Sequence, residues 1–144
     1  MRDIDRAKGL LKAEGCSCAF VKGGTTYTSW KSGVAPLVEF LSSDMELDGF
    51  SAADKIIGKA AALLFVLAGV REVYASVMSE AAIPVLQKSG IAHSCGTLTR
   101  TIENRAGTGP CPMEQAVAEI DDPAEALVAI RDTMERLAQQ GGKR

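Results

Sequence analysis

The sequence predicts an α/β protein built on a mixed sheet of about five strands, and three observations carry that reading. The pair Gly23-Gly24 separates two short runs rich in Thr, Val and aromatic residues, as the turn of a β-hairpin does. A helical stretch, Ala81 to Lys88, lies between two strand-like runs, which is how parallel strands are joined. The chain of 144 residues, 47% of them hydrophobic, is long enough to bury a sizeable core and is read as one domain over 1–144.

Taken in order, Ile4 to Ala13 sets apolar residues at helical spacing and stops near Gly15, giving an N-terminal helix within 1–15. Ser17 to Val21 and Thr25 to Trp30 are the hairpin strands, with Trp30 expected to be buried. Leu37 to Leu41 reads as a short helix opening near Pro36, and Ser42 to Gly49 as an acidic connection. Ser51-Ala52-Ala53-Asp54 has the pattern of a capping box with Asp in the usual Glu place. The main helix is therefore expected to start there and to run through Ile56, Ala60, Leu63, Leu64 and Leu67 to Gly69.

Arg71 to Met78 alternates as a strand, Ile91 to Cys95 is a second, and Leu98 to Ile102 a third. Cys111 to Ile120 and Pro123 to Gln139 close the chain as helices, and 140–144 should fray. The helix from Pro123 to Leu137 has an apolar face that either completes the core or pairs subunits into a homo-oligomer.

A formal charge of −2 with no basic stripe argues against a nucleic-acid polymer as partner. No apolar run reaches membrane-spanning length and the N-terminus is charged, so neither a membrane nor export is expected, and the location predicted is the cytoplasm. The four cysteines, Cys16, Cys18, Cys95 and Cys111, are then read as reduced thiols. Alternation would point Cys16 and Cys18 to one face as small buried residues. His93 and Cys95 have no zinc-framework spacing; no metal and no cofactor is predicted.

The strongest candidate site is the loop Asn104 to Glu114, where Gly107 and Gly109 let a backbone approach a ligand and Pro112 opens a helix. Cys111 at that helix start faces unpaired amides, which favours its thiolate; a simple cap explains it equally well. Arg105 suits a carboxylate or phosphate bidentately and Asn104 both donates and accepts, the alternative being that both only stabilise the loop. Lys55 and Lys59 would share one side of the main helix, with Gly58 between them permitting the close approach of a backbone or ligand. Asp54 is read as a cap, an ion-pair partner or a general base, and Glu80 and Glu114 as dipole-favoured carboxylates.

Three segments, Phe50 to Ala60, Val73 to Glu80 and Asn104 to Glu114, together with the element order, resemble a family of prokaryotic proteins grouped as domain of unknown function 1893. The resemblance implies a three-layer cytidine-deaminase-like fold, a mixed sheet with helices on both faces. In such deaminases a zinc ligand and a glutamate open one helix and two cysteines open the next. Those positions fall near Ser51 to Lys55 and Ser79 to Ala82, which hold no matching ligands, so the resemblance implies a cleft without the zinc. Helix starts at Ser51, Ser79 and Cys111 would gather around it.

The expected ligand is a small polar or anionic molecule, nucleoside- or nucleotide-like by that resemblance. If a reaction occurs, Cys111 would act as nucleophile with Asp54 or Glu114 handling protons and Cys95 as a second thiol. Ser51, Lys55, Lys59, Ser79, Glu80, Asn104, Arg105 and Gly109 would place the ligand. The alternative is a noncatalytic binding or assembly module.

Overall fold

A computed structural model of the chain describes residues 1–104 and 106–141. Helix α1, Asp3–Glu14, carries acids in its first turn and Lys12 in its last, matching its dipole, and ends at Gly15 with φ 67°. Strands β1, Cys18–Lys22, and β2, Thr25–Ser29, form the expected hairpin around Gly23 at φ 58°. Helix α2 is Ala35–Ser42, with Pro36 in its first turn.

The expected main helix divides. Ser51–Ile57 is a strand, β3, and only Lys59–Ala68 is helical, α3, ending at Gly69 with φ 75°. The capping-box pattern at Ser51 therefore caps nothing, and Ser51, Asp54 and Lys55 are strand residues. β3 is the middle strand of the sheet and is buried on both faces from Ser51 to Asp54, so it lacks the alternation that identifies a half-exposed strand. Ala52 joins the apolar cluster on one face and Ala53 that on the other, and their small side chains let both helical layers approach.

Strand β4, Glu72–Ser79, helix α4, Ala82–Lys88, and strand β5, Ala92–Thr99, follow. The two strands expected between Ile91 and Ile102 are one. Gly96 does not break it: a Cβ there would lie 3.0 Å from the Ser76 carbonyl oxygen and 3.2 Å from the Tyr74 hydroxyl, so glycine is the residue this close approach admits. Helix α5 is only Pro112–Ala116, shorter than expected, and α6 is Pro123–Gly141. Of the tail 140–144 expected to fray, Gln140 and Gly141 belong to α6, and 142–144 lie outside the described residues.

The sheet order is β2-β1-β3-β4-β5, antiparallel through β1 and parallel from β3 to β5. Because β3, β4 and β5 advance in one direction, connections of one hand put α3 and α4 on the same face. That face holds the main core, in which Phe20 meets Phe40 edge-on at 5.5 Å and Phe65 at 5.9 Å. The other face is covered by α1 through Ala7 and Leu11 on Ala19, Val21 and Ala53. The protein is thus an α/β structure with a mixed five-stranded sheet and helices on both faces.

Cys16 precedes β1, so it escapes the strand's alternation: it lies in the α1-side cluster and Cys18 in the main core, on opposite faces. Trp30, expected inside, is 62% exposed and donates its indole N–H to the Glu14 carbonyl. Among the described residues no helix is long and apolar enough to cross a membrane.

Candidate functional site

The parallel strands end together at a cleft of about 420 Å³, where ligands of open α/β sheets settle. Its walls are largely apolar, from Ala81, Pro84, Val85, Ile102 and Pro110, and its polar groups are Lys59, Ser79, Arg100, Thr101, Glu114 and Asp121. Of the residues proposed from sequence, the structure brings Lys59, Ser79 and Glu114 together here.

Ser79 is the last residue of β4 and is 1% exposed. Its hydroxyl is the buried side-chain polar atom that has no hydrogen-bond partner among the described residues. An unmade buried hydrogen bond costs about 1–3 kcal/mol, so a hydroxyl left open at the end of a strand marks a place where a partner is missing.

Glu114 reaches from α5 to the start of α3. One carboxylate oxygen accepts the Lys59 backbone N–H and the other that of Ala60, both at 2.8 Å. This carboxylate performs the capping that α3 lacks from its own N-cap residue, Gly58, which has no side chain to offer. The close approach foreseen at Gly58 is that of Glu114: a Cβ on residue 58 would stand 2.3 Å from its Oε1. Lys59 turns its amine away, donating to the Ala118 carbonyl at 3.1 Å and pairing with Asp121 at 3.4 Å.

The remaining candidates lie elsewhere. Ser51 is buried at the amino end of β3, with the length of that strand between it and the cleft. Lys55 is exposed on β3, so it shares no helix face with Lys59. Asp54 is buried in the same strand, its carboxylate accepting the Lys55 N–H at 2.8 Å; burial pushes its pKa up to about 7, against the opposing pull of the Lys55 and Ile56 amides. Glu80 is exposed just beyond β4. Cys95 packs against the core opposite Ala75.

Asn104 closes its own loop, donating to Thr108 Oγ1 at 3.2 Å and accepting the Thr108 N–H at 3.1 Å, while the Gly109 carbonyl accepts the Asn104 N–H. Both residues thereby serve the turn. Arg105 lies outside the described residues. Cys111 is half-buried at the N-cap of α5 and its side chain makes no capping bond; Pro110 beside it lines the cleft. Among the described residues no group of three or more His, Cys, Asp or Glu side chains could hold a metal ion.

Arg100, Thr101 and Asp121 were not foreseen. None stands in a recognisable motif, and only the end of β5 and the start of α6 bring them to the cleft. A larger groove of about 600 Å³ between α3, α4 and the start of α6 shares Pro84, Val85 and Asp121, but no buried polar group is left open in it.

A family model described as a domain of unknown function (DUF1893), TM1506, matches residues 6–134. A crystal structure of a DUF1893 family protein (TM1506) from Thermotoga maritima is similar with TM-score 0.81 and 27% identity, over 94% of this chain and 91% of that one. The dCMP deaminase from cyanophage S-TIM5 in apo form gives TM-score 0.44 and 20% identity, over 65% of this chain and 93% of that one. The same deaminase in complex with dCMP and dUMP gives 0.42 and 16%, over 64% and 92%. No curated protein matches the chain.

Proposed function

The chain belongs to the DUF1893 family, and from the geometry of its cleft we propose that it binds a small organic molecule carrying an anionic group, of nucleotide-like build. The observation that carries this reading is the buried, unpartnered Ser79 hydroxyl at the carboxyl end of β4. Apolar walls suit a flat ligand body, and the guanidinium of Arg100, which takes part in none of the ion pairs among the described residues, suits the charged end.

Binding is favoured over thiol chemistry because Cys111 stands beside the cleft wall while both oxygens of Glu114 are engaged by α3. The test is thermal stabilisation of the purified chain by a panel of nucleoside monophosphates and the corresponding nucleosides. Phosphate-bearing members should raise the melting temperature, and Ser79→Ala or Arg100→Ala should abolish the rise. A panel without effect on the wild type would defeat the reading. Rapid alkylation of Cys111, suppressed by a bound panel member, would instead favour the thiol enzyme.

A further inference from the structure

We propose that Glu114 is a built-in stand-in for the anionic group of the ligand: a phosphomonoester takes the Lys59 and Ala60 amides together with the Ser79 hydroxyl, and Glu114 withdraws with α5. This rests on the cleft being a ligand site and adds where the anion sits and what has to leave.

The geometry supports an exchangeable occupant. The start of a ten-residue helix at the end of a parallel strand presents first-turn amides and a positive dipole end, the arrangement that holds phosphate oxygens. Two carboxylate oxygens on two successive amides occupy the positions that two phosphate oxygens would. A helix capping itself would carry Ser, Thr, Asp or Asn at residue 58, whereas Gly58 leaves its end open to a group arriving from outside.

The segment that carries Glu114 is short, and it is tied to the main core through Met113 and, just past α5, the buried Val117. Helix α5 has five residues and none of them is buried. The Lys59 amine, now held by Ala118 and Asp121 just beyond α5, is the cation beside this helix start and turns from them toward the incoming charge. A phosphomonoester brings about −1.5 to −2 of charge against −1 for the carboxylate, which the helix start and the Lys59 and Arg100 side chains of the cleft favour. With Glu114 in place the Ser79 hydroxyl in the same cleft has no partner; a phosphate, with more acceptor oxygens, supplies one.

The test is titration of the full chain with inorganic phosphate, followed through the backbone amide resonances of Lys59 and Ala60, in the wild type and in Glu114→Gln, Glu114→Asp and Ser79→Ala. Removing or retracting the stand-in should tighten phosphate binding about five- to tenfold, the scale of a lost helix cap. Ser79→Ala should weaken it. Glu114→Asp keeps a charge and shortens the reach, so it serves if Glu114→Gln is too unstable to titrate. Equal or weaker phosphate binding in both Glu114 variants overturns the proposal, since taking the occupant off the Lys59 and Ala60 amides must favour an anion that competes for them. Stabilisation by the nucleotide panel without movement of the Lys59 and Ala60 amides overturns it too, while leaving the cleft reading standing. No response to phosphate or to the panel in any variant overturns both.

Discussion

Asp54 is a residue whose chemistry its surroundings alter strongly. Its register partners Cys18 and Ala75 both belong to the main core, so the carboxyl enters an apolar layer and its charged form loses hydration. The same burial, with the Asp54 charge behind it, pushes the Cys18 thiol above the ordinary range. The folded protein therefore holds a proton at Asp54 between the ordinary value of 3.8 and about 7, where the unfolded chain has released it. By linkage, folding stability falls as pH rises through that window and levels off above it. Asp54→Asn keeps the oxygen that accepts the Lys55 amide and removes the titration. Urea midpoints measured from pH 4 to pH 8 should show the variant gaining on the wild type across the window; a constant difference would place the ionised group outside the core. A general-base role assigned from sequence fits poorly with a carboxyl enclosed in this way.

At the level of the element, α3 shows which parts of the sequence were legible. Its helical stretch from Ala60 onward reads correctly, with Ala60, Leu63 and Leu64 buried though Leu67 is exposed, but its beginning does not, because Ser51-Ala52-Ala53-Asp54 satisfies a helix-start pattern while long-range pairing with β1 and β4 makes it a strand. Propensity is weak beside hydrogen bonds to two neighbours. The β-branched pair Ile56-Ile57 followed by Gly58 is the local signal that marked the true boundary. The hairpin, α1, α2, β4 and α4 all read correctly, since their caps and turns lie within a few residues of what they terminate. The cap of α3 arrives from α5, which no local pattern can announce. Gly58→Ala should cost about 1–2 kcal/mol, the scale of a lost cap, because φ at −102° strains no side chain and only Glu114 is displaced. With Glu114 already replaced by Ala the same change should cost less than half as much; equal costs in chemical denaturation would separate the two residues.

Across the whole molecule, the two faces of the sheet are unequal. One carries α3 with Ala60 to Phe65 buried, together with α2, α4 and α6, and the other is covered by α1, whose buried residues are Ile4, Ala7 and Leu11. Local opening follows the amount of apolar surface each layer buries. Native-state hydrogen exchange should show α1 opening at lower denaturant than α3 and β3, and simultaneous release of all three would contradict this. The cleft is the converse case in legibility. Ser79 was visible as a residue near a strand end and Lys59 as one on the main helix, but their meeting with Arg100, Thr101 and Asp121 depends on how segments far apart in sequence are placed.

The distance between Glu114 and the amides it caps, 54 and 55 residues along the chain, bears on how the protein is made. As the nascent chain leaves the ribosome, every strand has emerged before residue 114, so the sheet is able to pair while the first turn of α3 is still open. Closing that turn is a step of high sequence separation, which chain order places after the strands of the sheet.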